Sequence, residues 1–150
     1  MGNINELRAR YENLLPVDGI KEGKINEIQT SLNVCLPKDF CEIASFYSGG
    51  LLGGISIYSF ENADNDMNIV GETLRLRSSI KLPLRFVVLA EPTESLIVMD
   101  TLNTPSIIWC DAVEVLKLDD KSFLSEPDQW DTFTEFFIQL LEDEEDEQLE

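Results

Sequence analysis

The apolar positions of this chain change period along its length, and each change marks an element. Ile4, Leu7, Tyr11, Leu14 and Leu15 recur at the helical spacing, which predicts an amphipathic helix over residues 4–15. Asn3 stands at its capping position with Glu6 three residues on, and Pro16 closes it. A second helix is expected from about Glu22 to Leu32, with Ile25, Ile28 and Leu32 facing inward. The third is expected to open at Pro37, where a missing N–H does no harm. Its stripe is Phe40, Ile43, Ala44 and Tyr47, and Gly49-Gly50 is read as its stop.

After the glycines the period becomes two. Ile55 and Ile57 alternate with Ser56 and Tyr58, the pattern of a half-buried strand. A polar loop and a helical stretch from Ile69 to Leu76 follow. Three strands are then expected over 86–90, 96–100 and 106–109, with a weaker fourth over 113–118. Their turns carry Pro92, Asn103 and Pro105, which favours an antiparallel meander over crossover-linked parallel strands. A closing helix is expected from near Pro127, with Trp130, Phe133, Phe137, Leu140 and Leu141 on one face. The fold class read from this order is α+β. One domain over 1–141 should hold a mainly antiparallel sheet of about four to six strands, packed with N-terminal helices and a C-terminal helix.

Composition narrows the chemistry. At 150 residues the chain is long enough to bury roughly 68–70% of the surface its unfolded form exposes. No apolar run approaches the ~20 residues of a membrane span, and the N-terminus lacks a basic stretch followed by an apolar core. The expected location is cytoplasmic. The chain contains no histidine, which removes the commonest general base and the commonest zinc ligand. Cys35, Cys41 and Cys110 sit in apolar segments without a Cys-x-x-Cys spacing, and are read as buried, reduced thiols.

Charge narrows the partners. Lys and Arg number 11 against 29 Asp and Glu, a formal net charge of −18. Such a field repels nucleic acid and anionic lipid, and steers a cationic partner inward. Beyond Lys121 every charged residue is acidic, and 142–150 is expected to be a self-repelling, disordered tail.

The suggestive motifs fail on inspection. Gly49-Gly50-Leu51-Leu52-Gly53-Gly54 resembles a phosphate loop, yet Ile55 follows where Lys and Ser or Thr are needed. A helix stop and a tight turn into the first strand explain it better. Asp64, Asp66 and Asn68 match the first ligand positions of a calcium loop, but Ile69 replaces its glycine and Arg75 its glutamate. No cofactor and no metal are called for. A carboxylate pair of the glycosidase kind would need two buried acids about 5–10 Å apart in a cleft, and the sequence singles out no such pair.

Three stretches carry a family resemblance. Leu36-Pro37-Lys38-Asp39-Phe40 and Phe46-Tyr47-Ser48-Gly49-Gly50 resemble a Leu-Pro-x-Asp/Glu-aromatic helix start and an Asn-Gly-Gly-like helix exit, with Ser48 in place of Asn. Leu82-Pro83-Leu84-Arg85-Phe86-Val87-Val88-Leu89-Ala90 is similar to a strand reading Pro…Phe-Val-Val-Ile-Ala. Ser106-Ile107-Ile108-Trp109 and the late Trp130-x-x-Phe133-x-x-Phe136-Phe137 complete the series. Together they resemble the SUKH superfamily of Smi/Knr-like proteins, over about residues 22–141.

That resemblance implies binding and not catalysis. Many bacterial members look like immunity proteins that bind and neutralise a cognate polymorphic toxin, often a nuclease. The expected partner is therefore a basic toxin domain, engaged by occlusion; an enzyme is not expected. The alternative is a Smi/Knr-like regulatory scaffold with no toxin partner, and the third reading is an acid–base hydrolase. The partner-binding candidates are Glu61, Asp64, Asp66, Asp111, Glu126 and Asp128, exposed acids expected near strand and helix ends. The sequence does not determine the oligomeric state.

Overall fold

A computed structural model describes residues 3–61 and 67–149. Helix α1 spans Ile4–Glu12, and Asn3 Oδ1 accepts the Glu6 amide at 2.9 Å. It ends short of Leu15 because the residue before a proline resists the helical region. The amides of Leu14 and Leu15 both turn back to the Tyr11 carbonyl. Helix α2, Glu22–Leu32, is closed by Asn33 in the left-handed region. Helix α3, Lys38–Ala44, follows Pro37. It stops five residues before the Gly49 expected to end it. The Ala44 and Phe46 carbonyls are taken by the Ile20 and Asp18 amides at 2.8 and 3.1 Å. Gly19 permits that approach, since a Cβ there would lie 2.0 Å from the Ser45 carbonyl oxygen.

The glycine-rich stretch is a hairpin. Strands β1 (Gly50–Leu52) and β2 (Ile55–Ile57) pair antiparallel around Gly53-Gly54. Both turn glycines have positive φ, 59° and 80°, as a two-residue turn matched to strand twist requires. The expected tight turn is there, but preceded by a strand the sequence reading did not assign.

Helix α4, Ile69–Ile80, is capped by Asn68, whose Oδ1 accepts the Gly71 amide at 2.8 Å. The second sheet has the order β3-β4-β5-β6, antiparallel throughout: Phe86–Ala90, Ser95–Asp100, Ile107–Asp111 and Asp128–Trp130. It is covered on both faces, which explains the unbroken apolar runs of β3 and β4. Val87, Leu89, Ile97, Met99 and Ile107 join a large core with α1, α2, α3, the hairpin and the last helix. Phe86, Val88, Leu96, Val98, Ile108 and Cys110 join a smaller one with Leu76, Leu82 and Leu118. The large core is rich in rings; Phe40 lies 4.7 Å from Phe60 and 4.8 Å from Phe133. Such pairs add about 0.5–1.5 kcal/mol each beyond area burial.

Three expectations are corrected here. Residues 113–118 are not a strand. Asp111 ends β5, the Ala112 amide bonds the Glu94 carbonyl, and Ala112–Lys117 becomes a 3-10 helix that lays Val115 and Leu118 on the smaller core. The last helix does not begin near Pro127, because Asp128–Trp130 joins the sheet as β6. Helix α5 starts at Phe133, with Thr132 Oγ1 accepting the Glu135 amide at 3.1 Å. Nor are residues 142–148, the described start of the expected disordered tail, irregular: α5 runs to Gln148. Its acids find tertiary partners. Glu145 pairs with Arg10 at 2.6 Å, and Glu144 accepts the Gly53 amide at 3.0 Å.

The two edges of the larger sheet differ. On β3 the Val88 amide donates to Thr73 Oγ1 at 2.8 Å, and the Leu89 carbonyl accepts the Tyr58 amide at 2.8 Å. That edge is closed. On the opposite side, among the described residues, β6 pairs only with β5. It is three residues long, exposes Asp128 and Gln129, and follows Pro127. Shortness, charge and a neighbouring proline are the usual guards of an open edge.

Candidate functional site

The candidate acids fall in two places. Asp111 is exposed at the end of β5, and Asp128 is exposed on β6, opposite Trp109 in the register. Glu126 precedes Asp128 by two residues, so these three gather at one end of the β5–β6 pair. Glu61 is elsewhere. Its segment follows Tyr58, which bonds the outer side of β3, and β3 and β4 separate it from Asp111. Asp64 and Asp66 lie outside the described residues.

The arginines are turned to internal use. Every arginine is engaged within the chain: Arg8 with Glu12, Arg10 with Glu145, Arg75 with Glu72 and Glu91, Arg85 with Asp100 and Asp119. Arg77 donates to the Leu84 carbonyl at 2.8 Å. Lys121 reaches Asp100 at 3.0 Å. Asp111, Glu126 and Asp128 have no cationic partner among the described residues. The outward field at the open end of the sheet is therefore negative, unneutralised by the basic side chains.

The buried carboxylates have structural duties. Asp100, at the end of β4, has a fully buried side chain that faces Arg85 at 3.1 Å and Lys121. It also accepts the Leu102 and Asn103 amides, each at 3.0 Å. Burial alone would push its pKa up; the Leu102 amide, Lys121, the Asn103 amide and Arg85 outweigh that and hold it below the ordinary value. Glu72 pairs with Arg75 at 2.7 Å, and Glu114 accepts the amides of Leu124 and Ser125. Each is committed to a cation or to backbone amides, and the three stand on different elements.

The thiols divide by exposure. Cys110 is buried, and burial pushes its pKa up to about 11. Cys41 is half-buried with its pKa raised by burial, whereas Cys35 is exposed, contrary to the sequence reading. Asn33 turns the chain out of α2 just before it, and the segment passes over the surface to Leu36.

The residues behind the resemblance have mechanical roles. Asp39 Oδ2 accepts both the amide and the hydroxyl of Thr134 at 2.8 Å, capping α5 from α3. Phe40 sits beside it at the centre of the ring cluster. The sequence also carries an unread signal, Thr132-Phe133-Thr134-Glu135, a capping box that places the start of α5. Glu135 Oε2 accepts the Asp131 amide at 3.1 Å.

Helices packed over an antiparallel meander, a glycine hairpin and an acid-capped closing helix define a single α+β domain of SUKH type. The SUKH_5 family model, described as SMI1-KNR4 cell-wall, matches residues 2–142, and the chain belongs to that family. A search of curated proteins finds no match. Among the described residues no helix is long and apolar enough to cross a membrane.

Proposed function

We propose that this chain is an immunity protein that binds a cognate polymorphic toxin with a basic surface, such as a nuclease, and neutralises it by covering its working face. Membership of the SMI1-KNR4 family supports a binding role. The observation that carries the reading is the division of charge. Arginines are spent on internal partners, while Asp111, Glu126 and Asp128 stay exposed and form no salt bridge among the described residues, at one end of the β5–β6 pair. A nuclease must attract phosphates, so an acidic protein of net charge −18 can be steered to the same surface. No bond is made or broken; the protein acts by steric and electrostatic occlusion in the cytoplasm.

The test is co-expression with the toxin domain encoded beside this gene. The expected outcome is restored growth and a stoichiometric complex that weakens as salt rises. Absence of protection would reject immunity and favour a regulatory scaffold, the role suggested by the family's cell-wall description.

A further inference from the structure

The 3-10 helix after β5 leaves large apolar side chains in water. Val113 is 88% exposed and Leu116 78%. A 3-10 helix has three residues per turn, so positions three apart eclipse and these two stand on one face. Val115 turns inward to the smaller core. Glu114 is buried, and its carboxylate takes the amides of Leu124 and Ser125, strapping that segment alongside the helix. Leu124 is thereby held beside the helix with 85% of its surface exposed. Single exposed leucines are ordinary. Here three exposed aliphatic side chains stand on the 3-10 helix and on the segment that the buried glutamate ties to it, the residue type that fills an interface centre.

The border of this patch is acidic. Asp111 precedes the helix, Asp120 follows it and Glu126 follows Leu124; none forms a salt bridge among the described residues, and Asp120 lies in the field of Lys117. The nearby cations are occupied, Lys117 by Glu114 and Lys121 by Asp100. Beside Leu124 opens a hollow of about 450 Å³, walled by Phe123, Glu126, Pro127 and Lys121, the last already paired with Asp100.

We propose that Val113, Leu116 and Leu124 form the apolar centre, and Asp111, Asp120 and Glu126 the charged rim, of the face that docks a basic protein. This rests on the immunity reading above and identifies that protein as the toxin. Charge complementarity selects the occupant. A second copy would bring an equally acidic rim against this one, at −18 per chain. A basic surface with an apolar centre meets both parts of the patch. The acids govern the rate of encounter, and the aliphatic side chains govern how long the complex lasts.

The experiment uses the full chain and the purified toxin domain encoded beside its gene. Three proteins are compared by calorimetric titration and by growth rescue: wild type, the double variant Val113→Asp with Leu116→Asp, and Leu51→Asp. Leu51 is 67% exposed on the β1–β2 hairpin, outside the patch, and serves as the control. Because all three substituted side chains stand in water, thermal unfolding should match wild type. The double variant should bind about thirtyfold or more weakly and lose rescue, with Leu51→Asp unaffected. Wild-type affinity in the double variant, with rescue intact, would remove this face while leaving immunity standing. Protection by neither wild type nor variants would overturn both. A wild-type dimer in sedimentation, dissolved by the double substitution, would assign the face to a second copy and overturn the basic partner.

Discussion

Asp39 and Thr134 are 95 residues apart, yet one carboxylate oxygen accepts both the amide and the hydroxyl of Thr134 at 2.8 Å. The bond ties α3 to the first turn of α5 and occupies an amide the helix cannot satisfy itself. Asp39→Ala should lower stability by about 1–2 kcal/mol, the usual worth of a helix cap. Urea denaturation would show it. Asp39→Asn, which keeps an acceptor oxygen, should recover part of the loss.

The Asp100 carboxylate gives stability a specific acid limb. Its folded pKa is depressed, so its contribution is fully present above the unfolded value of about 3.9 and is lost as pH falls through the folded value. Asp100→Asn removes the counter-ion of Lys121, leaves Arg85 with Asp119, and should cost roughly 3 kcal/mol at neutral pH. Urea midpoints of the two proteins should converge as pH falls below the ordinary carboxylate range. A constant gap across that range would show that the carboxylate's charge is not what stabilises the fold.

The end of α5 depends on one cation. Arg10 bonds Glu145 through Nε at 3.1 Å and Nη2 at 2.6 Å. Arg10→Glu adds repulsion to an already acidic turn. Hydrogen exchange should show faster amides over 142–148 with the rest of the core unchanged. Global stability should fall by no more than ~1 kcal/mol, because the pair is about a third exposed.

The acid clusters should separate kinetically. Asp111→Lys with Asp128→Lys should slow association with a basic toxin domain about tenfold or more at low salt, and the difference should shrink at high salt. Glu61→Lys, off the far edge of the sheet, should have a smaller effect. Stopped-flow measurements at two ionic strengths would distinguish them, and equal slowing by both would argue for a diffuse field.

Gly19 tests a contact that is purely steric. A Cβ there would meet the Ser45 carbonyl oxygen at 2.0 Å. Gly19→Ala should therefore separate the α1–α2 loop from the end of α3 and destabilise by more than ~1 kcal/mol, read as a lowered thermal midpoint.

What the sequence determined by itself was local. Asn3 and the helical stripes placed α1 and α2 because caps and 3.6-residue periods act within a few turns. The proline- and asparagine-marked turns after 90 placed an antiparallel meander for the same reason. The net charge of −18 and the lack of histidine are also properties of the sequence alone. The tertiary structure decided what depends on distant partners. Asp128–Trp130 is a strand because β5 presents an open edge, and 113–118 is a 3-10 helix because the smaller core needed a cover. The acidic end of α5 is ordered because Arg10 and the Gly53 amide reach it from elsewhere. Periodicity within one segment carries no record of such contacts, nor of which exposed acids share a face, since those relations form only when segments far apart in sequence pack together.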